Sequence, residues 1–183
     1  MSAAGSNVRP AEKYPLAKLN ALAQPEFVSV VGPVFEHSPW IAERAARQRP
    51  FADFAALQHA LCETVRKSGE EKQLALIRAH PDLVGRAAVA GTLTRESTGE
   101  QASAGLNQLS PEEIARFQKN NAAYQAKFGF PFVICARLNQ KQAILAGFDQ
   151  RLQNSRVQEI QAALAEIFKI AEFRLRDLVS PDV

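Results

Sequence analysis

The longest regular pattern in this sequence lies near its C-terminus, where apolar residues recur at helical spacing. Over residues 157–178, Ile160, Ile167 and Ala171 fall on one stripe when each residue advances by about 100°. A helix with such a stripe must bury it against other elements. Elsewhere only residues 132–136 have strand character, and five residues without a partner strand cannot form a sheet. The pattern therefore predicts a long helix packed against other helices.

Start signals divide the rest of the chain into shorter helices. Ser38-Pro39 places a capping serine before a proline at the first helical position and predicts a helix over residues 39–48. Ser110-Pro111 does the same, and Glu113 completes a capping box. We expect an all-α, single-domain bundle of about eight to nine helices with one short extended segment near 132–136. The expected boundaries are a flexible N-terminal segment at 1–15, the helical domain at 16–179 and a tail at 180–183.

Composition excludes several classes of protein. The chain has 183 residues, 46% hydrophobic and 22% charged, with a net charge of +3, which suits one globular domain with a core. Lysine and arginine are scattered, so we expect no nucleic-acid partner. No stretch approaches the roughly 18 apolar residues of a membrane span, and we expect no membrane partner. Cys62 and Cys135 lie in apolar runs and are typical of reduced core residues. We expect a cytoplasmic location.

His80 is the first candidate for chemistry. It stands where an apolar helical run stops at Pro81, and a residue before proline is pushed out of the α region. Histidine is the side chain whose ordinary pKa lies nearest neutrality, so it can give or take a proton in a cell. A buried structural histidine is the commoner case, and this residue alone leaves both interpretations open.

The segment Ser97-Thr98-Gly99-Glu100-Gln101 also allows two interpretations. Ser-x-x-Glu ahead of a helical run is a capping box, which explains Ser97 and Glu100 structurally. Residues i, i+3 and i+4 also share a helix face, so Ser97, Glu100 and Gln101 would present a hydroxyl, a carboxylate and an amide together. Such a set suits a small polar ligand.

Arg174 falls inside the apolar stripe of the last helix, whereas Arg176 points nearly opposite, toward solvent. An arginine among core positions needs a carboxylate partner or a bound anion, because an unpaired buried charge is costly. An internal salt bridge, or a side chain that reaches solvent at the helix end, would satisfy Arg174 as well as a ligand would.

No motif indicates a metal or cofactor. The chain has three histidines and no His-Glu-x-x-His motif, and it has no phosphate-binding glycine loop. We therefore expect any catalysis to be cofactor-free.

Taken together, the motifs resemble those of the 2-oxo-4-hydroxy-4-carboxy-5-ureidoimidazoline (OHCU) decarboxylases of purine and urate catabolism. The resemblance runs from about Leu19 to Val179. Its most specific element is His-Pro followed seventeen residues later by Ser-x-x-Glu-Gln. The matching segments are residues 35–40, 49–51, 80–83, 97–101 and 128–137.

The resemblance implies a free-standing bacterial carboxy-lyase that converts OHCU to (S)-allantoin without a cofactor, and a homodimer. It implies that His80 is the catalytic residue and that it donates a proton to carbon or acts in concert with the substrate hydroxyl. It also implies that the substrate is bound by Pro81, Ser97, Thr98, Gly99, Glu100, Gln101, Phe132, Val133, Ile134, Cys135, Ala136 and Arg174.

The sequence leaves two alternatives open. A helical protein-interaction module would carry the same caps and salt bridges, but His80, Glu100 and Arg174 would not need to meet in it. A hydrolase for a neighbouring ureide would want a positioned water, usually on a metal, and the ligands for one are missing from the sequence.

Overall fold

The computed structural model describes residues 13–85, 88 and 90–180. Within this part of the chain the protein is all-α, as the sequence predicts, with nine α-helices, three 3-10 turns and no strand. In chain order the α-helices are α1 Leu16–Ala21, α2 Gln24–Val31, α3 Trp40–Ala45, α4 Phe54–Arg66, α5 Glu70–Ala79, α6 Arg95–Ser103, α7 Pro111–Phe128, α8 Lys141–Arg151 and α9 Arg156–Leu178. The 3-10 turns are Gly32–Val34, Ala46–Gln48 and Ala136–Leu138.

Most helix ends follow the predicted signals. Ser110 accepts a hydrogen bond from the Glu113 amide and completes the capping box of α7. The predicted cap at Ser38 is wrong, because α3 starts after Pro39 and no side chain caps it. The predicted helix over 39–48 divides into α3 and a 3-10 turn. The tighter turn continues the helical path, so only the hydrogen-bond pattern differs from the prediction.

The long helix α9 is central to the core, and its buried side chains include Ile160, Ile167 and Ala171 of the predicted stripe. It packs against α4, α5 and the 3-10 turn at Gly32–Val34, while α6 packs against the 3-10 turn at Ala136–Leu138. These contacts bring the end of α5, one face of α6 and the second half of α9 to the same place.

The two ends of the described chain meet. The Tyr14 amide donates to the Leu178 carbonyl at 2.8 Å, and the Ser180 amide donates to the Tyr14 carbonyl at 3.0 Å. Tyr14 therefore belongs to the fold rather than to the flexible segment expected at 1–15. Residues 1–12 and 181–183, which contain most of that segment and of the expected tail, lie outside the described residues.

Both cysteines are buried and unbridged, as predicted. No helix in the described part of the chain is long and apolar enough to cross a membrane.

Candidate active site

His80 occupies the end of α5, as the proline that follows it predicts. Its backbone has left the helix, with φ −74° and ψ 138°, because Pro81 excludes the α conformation from the residue before it. The Leu76 carbonyl, one turn earlier, lies 2.9 Å from His80 Nδ1. The side chain is therefore held against its own helix and is 7% exposed.

The contact with Leu76 determines the tautomer of His80. A carbonyl oxygen can only accept, so Nδ1 carries the hydrogen and Nε2 of the neutral ring keeps its lone pair. Burial lowers the pKa of His80 to about 4, although the Leu76 carbonyl and the charge of Glu36 act in the opposite direction. The imidazole is therefore neutral near pH 7. Among the described residues Nε2 has no hydrogen-bond partner, so it is available as a base.

The face of α6 carries the polar residues predicted to act together. Ser97, Glu100 and Gln101 are all buried on one side of the helix. The capping-box interpretation of Ser97 is wrong, because the residue that caps α6 is Thr94, whose hydroxyl accepts from the Ser97 amide at 3.2 Å. Ser97 and Glu100 are thereby free to make long-range contacts.

Thr98 and Gly99 lie on the opposite side of α6, where both are exposed. The Thr98 hydroxyl donates to the Thr94 carbonyl at 2.9 Å. Thr98 and Gly99 are thus separated from the polar face, because neighbouring positions of a helix point about 100° apart. Contact of Thr98 and Gly99 with the substrate stays a prediction.

Arg174 lies at the centre of a buried group that we call the Arg174 cluster: Glu36, Ser97, Glu100 and Arg174. Its Nε and Nη2 atoms donate to the two carboxylate oxygens of Glu100, each at 2.8 Å, in a bidentate pair. Its Nη1 donates to Glu36 at 2.8 Å, and Nη2 also reaches the Ser97 hydroxyl at 3.2 Å. The internal salt bridge that the sequence left open is present.

Glu36 is a member of this cluster that the sequence did not reveal. It is 3% exposed and also accepts hydrogen bonds from the hydroxyls of Thr94 and Ser97. Burial alone would raise the pKa of Glu36, but Arg174 and the Thr94 hydroxyl hold it below its ordinary value. The only sequence signal was indirect: a buried arginine requires carboxylates, and Glu36 lies in the segment 35–40 that carries the resemblance.

Gln101 is oriented by the loop that follows His80. Its Oε1 accepts from the Val84 amide at 3.2 Å, which leaves the side-chain NH₂ group as the donor available to a ligand. Val84 adopts a φ of +54°, which is unusual for a β-branched residue. The Asn121 side chain further holds this loop by donating to the Leu83 carbonyl at 2.8 Å.

The predicted extended segment passes beside these residues without a partner strand in the described chain. Phe132, Val133, Ile134 and Ala136 line the same cavity as His80. Cys135 is fully buried, its amide donates to Glu166 Oε2 at 2.8 Å, and its carbonyl accepts from the Asn139 side chain at 2.9 Å. Cys135 is not among the residues that line this cavity, and its contact with substrate stays a prediction.

These elements enclose one cavity with an empty volume of about 360 Å³, including its open mouth. That figure includes open solvent, and the enclosed interior is narrow. Its lining residues are His80, Pro81, Leu83, Ser97, Glu100, Gln101, Phe132, Val133, Ile134, Ala136, Ile170 and Arg174. His80, Glu100 and Arg174 therefore converge, which an interaction module would not require.

No group of three His, Cys, Asp or Glu side chains in the described chain could hold a metal ion. The cavity instead presents a base, a donor amide and a buried ion cluster around an apolar wall.

Comparison with known proteins decides the family. A family model described as OHCU decarboxylase matches residues 20–176. The chain is 42% identical over 163 residues to 2-oxo-4-hydroxy-4-carboxy-5-ureidoimidazoline decarboxylase of Halalkalicoccus jeotgali, covering 89% of this chain and 90% of the relative. It is also 42% identical to the protein of the same name from Amia calva, covering 90% and 94%.

The chain belongs to the OHCU decarboxylase family. A crystal structure of (S)-allantoin synthase shares the fold, with a TM-score of 0.73 and 28% identity over 91% of this chain and 54% of that one. The two relatives come from an archaeon and a eukaryote, so the bacterial origin of this OHCU decarboxylase family member stays a prediction.

Proposed function

We propose that this chain decarboxylates OHCU to (S)-allantoin in urate degradation, with His80 as the catalytic residue. The observation that carries the proposal is the convergence of a neutral, buried His80 with Gln101 and the Arg174 cluster around one cavity, in a member of this family. The substrate is a small ring that carries a carboxylate, a hydroxyl and a ureido group, and each of these groups is polar enough to need a partner on burial.

The reaction combines the loss of carbon dioxide with proton movements. Breaking the bond to the carboxylate releases carbon dioxide and leaves an electron pair on the ring carbon, which spreads onto the neighbouring C=N bond. The nitrogen of that bond takes the one proton that the reaction consumes, which comes from water. The Nε2 lone pair of His80 takes the hydroxyl proton as the hydroxyl becomes a carbonyl, and the resulting imidazolium delivers this proton to one face of the carbon of the former C=N bond, which becomes the stereocentre.

The Arg174 cluster supports this step electrostatically. Within the cluster the charge of Glu36 favours an imidazolium on His80, whereas the charge of Arg174 opposes it. Because all of its donor nitrogens are engaged, Arg174 acts by holding Glu100 and Ser97, and a substrate carboxylate would have to compete with Glu36 and Glu100 for it. The NH₂ group of Gln101, which has no partner among the described residues, supplies a donor for substrate oxygens.

The test is to add freshly generated OHCU to the purified protein and to follow allantoin formation by circular dichroism. We expect rapid formation of the (S) enantiomer, with the same rate after treatment with a chelator. A rate equal to that of spontaneous decay, or a racemic product, would contradict the proposal. We further propose that the protein is a cytoplasmic homodimer. Gel filtration with light scattering tests the dimer by its molar mass.

A further inference from the structure

Two peptide groups of the extended segment are held by charged side chains from behind the cavity wall. Arg151 Nη1, at the end of α8, donates to the Val133 carbonyl at 2.5 Å. Glu166 Oε2, on α9, accepts from the Cys135 amide at 2.8 Å. These two contacts flank Ile134 on both sides.

Peptide planarity turns these contacts into an orientation for Ile134. The Val133 carbonyl and the Ile134 amide belong to one trans peptide and point in opposite directions. The Ile134 carbonyl and the Cys135 amide belong to the next trans peptide and also point in opposite directions. In extended chain the N–H and C=O of one residue point to the same side. Arg151 and Glu166 therefore direct both main-chain groups of Ile134 away from themselves, and neither group has a partner among the described residues.

Arg151 is itself fixed by a buried group that we call the Arg151 cluster: Tyr124, Arg151, Asn154 and Glu159. Glu159 is fully buried and accepts hydrogen bonds from Arg151, from the Tyr124 hydroxyl and from Asn154 Nδ2. The Arg151 guanidinium also lies 4.5 Å from the centre of the Phe132 ring. Burying an ion pair costs desolvation energy. Because Glu159 fixes the position of Arg151, the Arg151 guanidinium holds the Val133 carbonyl in one direction.

We propose that Arg151 and Glu166 are positioning residues that aim the N–H and C=O of Ile134 into the cavity. A donor beside an acceptor on one residue pairs with a cis-amide edge, in which a ring N–H lies next to a ring C=O. That edge belongs to the cyclic ureides as a class. The inference rests on the proposed function, because it assigns the wall of that same site to the ring of its substrate.

Glu166 offers a matched test, since it lies outside the Arg151 cluster. Glu166→Gln keeps an oxygen that accepts from the Cys135 amide, whereas Glu166→Met removes it, and both lose the ion pair with Lys169. We expect Glu166→Met to raise KM for OHCU about fivefold to tenfold, the equivalent of one hydrogen bond, with kcat changed less. Glu166→Gln should stay near the wild-type KM. Equal KM values in the two variants would overturn the inference.

An amide signal provides a second readout that does not depend on turnover or on either variant folding. In ¹⁵N-labelled wild-type protein, (S)-allantoin should shift the Ile134 amide proton downfield as that amide donates a hydrogen bond. An allantoin analogue methylated on the ring amide nitrogens should bind more weakly, because it lacks the cis-amide donor. If OHCU is decarboxylated but the Ile134 amide does not respond, the inference fails while the proposed function stands. If OHCU is not decarboxylated but the Ile134 amide still responds to (S)-allantoin, the proposed function fails while the inference about Ile134 stands.

Discussion

Two buried ionic clusters lie near opposite ends of the longest helix, α9, and they differ in charge balance. The Arg151 cluster, near its start, pairs one guanidinium with one carboxylate and is neutral. The Arg174 cluster, near its end, pairs one guanidinium with two carboxylates, so its own four residues carry one excess negative charge. The partly exposed Arg137, which pairs with Asp177 at 2.6 Å, lies 3.9 Å from Glu100 at the edge of this cluster. Only the second includes residues that line the cavity beside His80. The difference indicates that one cluster holds structure in place, while the other also contributes electrostatically to the reaction.

The largest expected effect is on the Arg174 cluster. Lysine cannot reproduce the bidentate pair with Glu100 and the contact with Glu36, so Arg174→Lys should lower kcat/KM on the order of 10²-fold. The control is Arg176→Lys, because Arg176 is exposed and pairs with Glu172 on the helix surface. That change should cost under about 0.5 kcal/mol of stability and leave activity intact. Equal losses in the two variants would show that the Arg174 cluster has no special part in the reaction.

The Arg151 cluster should respond mainly in stability. Glu159→Gln leaves the largely buried Arg151 without a counter-charge, and we expect a loss of about 3 kcal/mol in the free energy of unfolding, measured by urea denaturation. The same change at Glu70, whose ion pair with Arg156 is exposed, should cost under about 0.5 kcal/mol. Similar values for Glu159→Gln and Glu70→Gln would mean that burial does not matter to this pair.

The pH dependence of the free energy of unfolding should reflect the titration of His80 rather than the Arg151 cluster. Its pKa is about 4 in the folded protein against an ordinary value of 6.5, so between these pH values the unfolded chain binds the extra proton. His80 therefore contributes stability that is full above pH 6.5 and is lost as pH falls toward 4, by roughly 3 kcal/mol at most. In His80→Asn this part of the slope should disappear. An unchanged slope in that variant would place the proton uptake elsewhere.

The smallest expected effects separate two neighbours on α6. Ser97→Ala removes a hydroxyl that donates to Glu36 and accepts from Arg174, which should cost about 1 kcal/mol and a few-fold in kcat/KM. Thr98→Ala removes only an exposed hydroxyl bonded to its own helix and should be nearly silent. A larger loss of activity at Thr98 than at Ser97 would show that the exposed face of α6 meets the substrate.

Helical periodicity and chain punctuation predicted much of the Arg174 cluster. Arg174 interrupted an apolar stripe, and Ser97 and Glu100 shared a helix face, because both patterns follow from 3.6 residues per turn. The Pro81 rule likewise predicted the backbone of His80. Glu36 was missed because a partner distant in sequence has no local signal. Thr98, Gly99 and Cys135 were assigned from the resemblance, which does not say which way each residue points.

The Arg151 cluster could not be predicted, because each of its charges has an ordinary local explanation. Arg151 lies in the last turn of α8 and Glu159 in the first turn of α9, where the helix dipole favours those signs on any surface helix. Only the chain path that brings the end of α8 to the start of α9 beneath Phe132 buries them together.

His80 is the group that moves the proton in the proposed reaction. Asparagine at this position can still donate a hydrogen bond to the Leu76 carbonyl, so His80→Asn should fold, but it cannot accept or deliver the proton. We predict that kcat/KM for OHCU falls on the order of 10² to 10⁴-fold, with a cooperative unfolding transition retained at neutral pH. Near-wild-type formation of (S)-allantoin by the folded variant would contradict the account.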